Sequence, residues 1–244
     1  MSGGCKIRVA ATLFLACALS GCPTRPPPPP SQVHAAPPAA VAPHTGRPYD
    51  IAAAESLLTV RVYRGGTLAS AGHNHLIASH TLAGTVYVPG EVLKSSIELH
   101  LAVAELTVDE PELRARETGG DFQPQLPQSA RDGTRRNMLG PAVLDAAEYP
   151  EVVLRSERLE APAAGAPGAV VAWLDAQVRD QHRTISVPVR YQIAGDTVTL
   201  TGEAALRQSE LGLTPFTALL GALAVQDEMR VRFRIVARAA GGAR

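Results

Sequence analysis

Between Thr184 and Ile193 the side chains change character almost residue by residue. Ile185, Val187, Val189, Tyr191 and Ile193 are apolar, and Thr184, Ser186, Arg190 and Gln192 fall between them. A period of two is the mark of a β-strand with one buried and one wet face. The same alternation runs through Val170, Ala172, Leu174, Ala176 and Val178, through Val198, Leu200, Gly202, Ala204 and Leu206, and through Val231, Phe233 and Ile235. Arg230, Arg232 and Arg234 take the opposite face of the last run. Shorter candidates lie at Leu58 to Val62, Leu82 to Val88, Ile97 to Val103 and Val152 to Leu154. Parallel strands covered on both faces would read as continuous apolar runs, so this alternation predicts an all-β fold of about eight antiparallel strands. A closed barrel and a sandwich both satisfy it.

Two segments break the pattern. Residues 105–150 are too long for a hairpin, and Arg131 to Tyr149, with Asp132 as the expected N-cap, reads as short helix interrupted at Gly140-Pro141. Phe216, Leu219, Leu220 and Leu223 fall at i, i+3, i+4 and i+7, which predicts a second short helix lying across one end with its leucines turned inward. It acts either as a plug or as a lid over a cavity. Aromatic residues are only 4% of the chain. An interior lined by Val, Leu, Ile and Ala therefore leaves room for a ligand.

The front of the chain has another purpose. Lys6 and Arg8 precede an apolar run from Val9 to Ala18, well short of the roughly 20 residues that cross a bilayer. The run ends in Leu19-Ser20-Gly21-Cys22. This resembles a bacterial lipobox, and the resemblance implies that residues 1–21 are a removed signal peptide and that Cys22 carries acyl chains. Cys5 and Cys17 leave with the signal, so Cys22 is the last cysteine. A disulfide framework, a thiolate nucleophile and a cysteine metal site are excluded. By analogy with lipoprotein sorting in double-membraned bacteria, Pro23 at the next position favours the outer membrane, with the protein facing the periplasm.

Residues 23–48 hold ten of the twenty prolines, including Pro26 to Pro30. With Cys22 they form an expected tether, 22–48. Extended polyproline rises about 3.1 Å per residue, so the tether reaches roughly 80 Å at most. The domain is expected over 49–238, and 239–244 form a tail. Loss of Lys6 and Arg8 leaves 21 basic against 23 acidic residues, a net charge of −2, which argues against a nucleic-acid partner.

Within the domain, Arg131-Asp132, Met138-Leu139, Leu144-Asp145, Tyr149-Pro150-Glu151-Val152 and Ser156 are followed by Arg183-Thr184-Ile185, Pro188-Val189, Gly202 and Leu211-Gly212-Leu213-Thr214-Pro215-Phe216. In order and spacing this series resembles the YceI-like family across Tyr49 to Ala237. The resemblance implies a lipocalin-like antiparallel β-barrel whose elongated apolar interior holds a polyisoprenoid. Pro188 inside a strong strand is unusual for a closed barrel, because proline prefers edges and bulges. It is expected to mark a seam. Two features depart from the simplest members, the lipoprotein front end and Gly72-His73-Asn74-His75.

His73 and His75 share one face of a strand at roughly 6.6 Å along it. Two uses stay open: hydrogen bonds to a ligand head group together with Asn74, or a metal site completed by His80, His100 or His182, none at a recognised spacing. The tripeptide is not the dispersed HNH nuclease motif. No nucleophile elbow, P-loop or dinucleotide glycine turn occurs. Asp109, Glu110 and Glu112 read as a solvated loop. The cluster of Arg131, Asp132, Arg135 and Arg136 is either a solvated face or, through Arg131, a partner for an anionic head group.

The expected activity is binding rather than catalysis. An isoprenoid or fatty-acyl lipid would lie against Leu174, Val178, Ile185, Val187, Leu200, Leu206, Leu219, Leu220 and Phe233. His73, Asn74, His75 and Arg131 would meet its polar end, and the acyl chains on Cys22 would hold the membrane. The alternatives are a metal-dependent or redox-linked envelope enzyme using His73 and His75, and an interaction module with a filled barrel.

Overall fold

A computed structural model describes Met1 and residues 44–118, 120–122, 125–163 and 165–241. The leader, Cys22, most of the tether and the last three residues of the tail lie outside the described residues. The chain divides into Met1–Ala36 and Pro37–Arg244, and the fold below belongs to the second unit.

The strands are β1 (Arg47–Ile51), β2 (Leu57–Gly65), β3 (His75–Ser79), β4 (Ala83–Val88), β5 (Ser96–Ala102) and β6 (Thr107–Val108). After helices α1 (Pro111–Arg114) and α2 (Gln128–Leu139) come β7 (Glu151–Glu160), β8 (Ala169–Val178), β9 (Gln181–Ala194) and β10 (Thr197–Arg207). Then follow the two-residue β11 (Thr217–Ala218) and β12 (Leu223–Ala239). All pairings are antiparallel, and they form eight staves rather than twelve. β1 and β2 form one stave broken near Ala53–Glu55, because β4 pairs with β1 while β3 pairs with β2. β3 and β4 form the second stave, and β5 with β6 the third. Each stave pairs with its sequence neighbours until β12 returns to the first, Tyr49 opposite Ala239 and Leu57 opposite Arg234. The result is a closed eight-strand antiparallel barrel.

The break in the first stave is stitched by one side chain. Buried Ser56 donates its hydroxyl to Ala52 O at 2.8 Å and accepts from Val236 N at 3.0 Å, supplying the ladder bond that the chain leaves out.

Pro188 does mark a seam. β9 pairs with β10 only from Arg190 to Ala194, and the ladder stops short of the residue that has no N–H to give. Below Arg190 β9 bonds β8 alone, and beyond Thr201 β10 bonds β12 alone. The gap is packed by the chain after β10, where Leu211 is buried in one cluster with Val178, Ile185 and Val187. Gly202 sits beside the seam. A Cβ there would lie 2.4 Å from Pro188 O and 2.5 Å from the Phe233 ring, so its missing side chain makes room for both.

Two helical expectations are corrected. Phe216 to Leu223 is not a helix: Thr217–Ala218 pairs with β12, and Leu219, Leu220 and Gly221 all have positive φ. Tertiary pairing with β12 and the left-handed turn that ends at Gly221 override the pattern, so the i, i+3, i+4 spacing is coincidental. The other helix starts earlier than expected, at Gln128 after Pro127, with Asp132 inside it, and it ends at Leu139 before Gly140-Pro141. Turns then carry the chain to β7. This helix, not the later segment, closes a barrel end: Met138, Leu139, Leu144 and Ala146 pack on Ile77, Val103, Leu106 and Val108. Among the described residues no helix is long and apolar enough to cross a membrane.

Candidate functional site

Inside the barrel, at the end where the chain enters at His44, lies a cavity of about 140 Å³. β8 shows how the alternation builds its wall. Val170, Ala172 and Leu174 point inward and are buried, while Trp173 on the outer face takes Arg158 over its ring at 4.1 Å. Of the residues expected to line a cavity, Leu174, Ile185, Val187, Leu200, Leu206 and Phe233 do so. Val178 is buried in the adjoining cluster nearer the far end. Leu219 and Leu220 are not in the cavity at all. Their side chains stand out from the loop before β12, 65% and 109% exposed, because the left-handed backbone there turns them away from the barrel.

Sequence reasoning missed the mouth. Val88, Val92, Ser95, Ser96, Tyr191 and Ile193 line it, and the turn Val92–Lys94 packs on β7. Tyr191 and Ile193 continue the β9 alternation and were readable as inward. Ser95 and Ser96 carry no signal, since a serine before a strand reads as loop. Among the described residues that line the cavity, Ser95, Ser96 and Tyr191 have polar side chains, yet the surface they present to it is apolar. Ser96 Oγ meets His44 Nδ1 at 3.0 Å, and the His44 ring stacks on Tyr87 at 4.2 Å. Glu98, next in line, is bonded by Arg155 at 3.0 Å and His100 at 3.1 Å. Burial pushes its carboxyl up, but these two partners outweigh burial and hold it below the usual carboxylate value.

The Gly-His-Asn-His segment lies at the opposite end, outside this cavity. Asn74 turns away from the strand, accepting from Arg64 N and donating to Asp121 O, each at 2.9 Å. His75 Nδ1 lies 2.6 Å from Asp109 Oδ2, and Thr134 Oγ1 lies 3.1 Å from its Nε2. With Nδ1–H donating to the carboxylate, Nε2 accepts from the threonine hydroxyl. Asp109 is fully buried and also accepts from Leu76 N at 2.8 Å and Arg114 Nη1 at 2.5 Å. Burial raises its carboxyl, yet the bonds from His75 and Leu76 with the Arg114 charge bring it below the ordinary value. The polar loop expected around Asp109 is thus an anchored turn. His73 and His75 face a second pocket of about 330 Å³, with Thr134, Asn137 and Phe216.

The histidines weighed as a third metal ligand each hold a different carboxylate: His80 with Glu110, His100 with Glu98 and Glu151, His182 with Asp175. Among the described residues no group of three or more metal-ligating side chains comes together. Arg131 sits on α2 and donates to Gln128, away from the cavity wall.

Comparison with known proteins agrees with this architecture. No curated protein matches the chain. BcnA of Burkholderia cenocepacia superposes with a TM-score of 0.54 at 17% identity, over 77% of this chain and 99% of that one. A YceI protein of Campylobacter jejuni gives 0.46 at 7% identity, over 66% and 83%. The YceI-like domain matches residues 49–237, so the chain belongs to the YceI-like family.

Proposed function

We propose that the barrel binds an apolar or amphipathic lipid, isoprenoid-like or fatty-acyl, for storage, transport or sequestration. The protein would act as an envelope lipoprotein, held at the outer membrane through Cys22 and facing the periplasm. The cavity carries the reading. A void of about 140 Å³ walled by Val, Leu, Ile, Ala and Phe is of the size and lining that stays dry and accepts hydrocarbon. Each apolar area removed from water there gains roughly 25 cal/mol per Å². A longer chain extends through the mouth toward His44. The signal-like front and the Leu-Ser-Gly-Cys sequence support the location.

Native mass spectrometry of the protein taken from membranes, followed by solvent extraction, tests the binding. The expected result is an adduct that extraction releases as a lipid. A ligand-free mass, with no uptake of added isoprenoids or fatty acids, rejects it.

A further inference from the structure

Where β2 ends and β12 begins, Gly65 lies opposite Ala224, and the stretches 65–72 and 212–225 meet on the rim of the barrel away from His44. Neither stretch holds an Asp, Glu, Lys or Arg, although such residues are 19% of the chain. Among the described residues of the barrel unit, five large apolar side chains stand exposed, and three of them, Leu68, Leu219 and Leu220, gather on this rim. The other two, Leu93 and Ile193, stand at the opposite end, where Glu91, Lys94, Arg190 and Asp196 are close in sequence.

The backbone holds these leucines outward. Leu219, Leu220 and Gly221 have φ of 51°, 55° and 87°, a left-handed run that strains a leucine and turns it from the barrel. Phe216, Ala218 and Leu223 of the same stretch line the pocket beside His75 instead. Leu68 N donates to Ala222 O at 2.8 Å, which brings the third leucine onto the same tip. Gly66 permits that approach, since a Cβ there would lie 2.4 Å from Ala222 O. Ala71 N, Gly72 N and Ala222 N are bonded within the loops as well, to Leu68 O, Ala69 O and Leu219 O. Backbone paired in this way leaves water at less cost than open backbone does.

Three side chains fall well short of the roughly 800 Å² per partner that a stable protein interface buries, which makes a second copy of the chain a poor occupant. Hydrocarbon needs no matching surface; it accepts leucine and rejects charge, and that is the composition of this rim. We propose that the leucine tip dips into the surface of a lipid bilayer. The contact is separate from any acyl chains on Cys22 and does not depend on what the cavity holds. The barrel meets the membrane by the end away from His44.

Bromine quenching tests this with the full chain and vesicles of phosphatidylcholine and phosphatidylglycerol whose acyl chains are brominated. Leu220→Trp reports on the tip, Leu93→Trp on the opposite end, and the parent protein gives the background from Trp173. Both variants keep Cys22 and the tether, so an anchor alone affects them equally. Leu220→Trp is expected to lose most of its added emission and to shift the remainder to the blue, and Leu93→Trp to lose little. Adding Leu219→Asp to Leu220→Trp is expected to restore the emission, because a carboxylate resists entry into hydrocarbon. Equal loss at both positions, no loss at either, greater loss at Leu93→Trp, or quenching that survives Leu219→Asp overturns the proposal. So does a dimer in sedimentation that Leu220→Asp dissociates, which would give the tip to a second copy. None of these outcomes bears on the lipid cavity, which has its own test in ligand uptake.

Discussion

Asp109 holds a left-handed backbone, φ 55°, with its carboxylate fully buried beneath His75, Leu76 N and Arg114. A non-glycine residue keeps that conformation only when its surroundings fix it, and here three donors do. Because its carboxyl is held below the unfolded value, Asp109 adds stability that is present above the ordinary carboxylate range. That stability is lost as pH falls through the lowered value. Denaturant titrations at a series of acidic pH values should show a shallower acid loss in Asp109→Asn than in the parent. Asp109→Ala at neutral pH takes a shared acceptor from His75, Leu76 N and Arg114 and should cost about 1–3 kcal/mol, read as a lowered denaturation midpoint. At this scale the sequence was only half legible. His73-Asn74-His75 reads as one motif, but Asn74 faces away from the strand. The partner of His75 lies 34 residues downstream, a distance that no local spacing reveals.

Among the elements, the long strands were legible end to end and the broken staves only in part: Leu58 to Val62, Leu82 to Val88 and Ile97 to Val103 fall on β2, β4 and β5, whereas β1 and β6 went unread. β8, β9, β10 and β12 alternate cleanly because each runs from one rim of the barrel to the other. The first three staves are each cut in two by a short turn, and the alternation loses register at the cut. The segment before β12 failed for a different reason: four apolar residues stand at helical spacing where Thr217–Ala218 pairs with β12 and Leu219 to Gly221 turn left-handed. Leu220, with φ 55° and a fully exposed side chain, takes on backbone strain without any packing in return. Leu220→Gly is therefore expected to stabilise the protein by about 0.5–1 kcal/mol, read as a raised melting temperature with ligand uptake unchanged.

As a whole molecule, the barrel depends on one long-range closure, the closing seam where the ladder joins β12 to the first stave. Every other neighbouring pair of staves is consecutive in sequence, so alternation and turn signals bring the sheet within reach of sequence reasoning. Closure, and the cavity that closure creates, are global facts with no local signature. Ala237 sits on the seam at 0% exposure, clustered with Tyr49, Val86 and Val198. Ala237→Asp would bury a charge there without a partner, an effect of several kcal/mol. Hydrogen exchange should show protection lost first over Arg47–Ile51, while the hairpin of β8 and β9 keeps its own.

The seam also sets a timetable for synthesis. Tyr49 and Ala239, its partner across the ladder, lie 190 residues apart. At roughly 5–20 residues per second, about 10–40 s pass between the appearance of the two. Throughout that interval the first stave presents a bare edge, with the oily inner face of the sheet open beside it, the kind of surface that recruits other chains. A cell making this protein must therefore keep the nascent chain covered until its last strand is free.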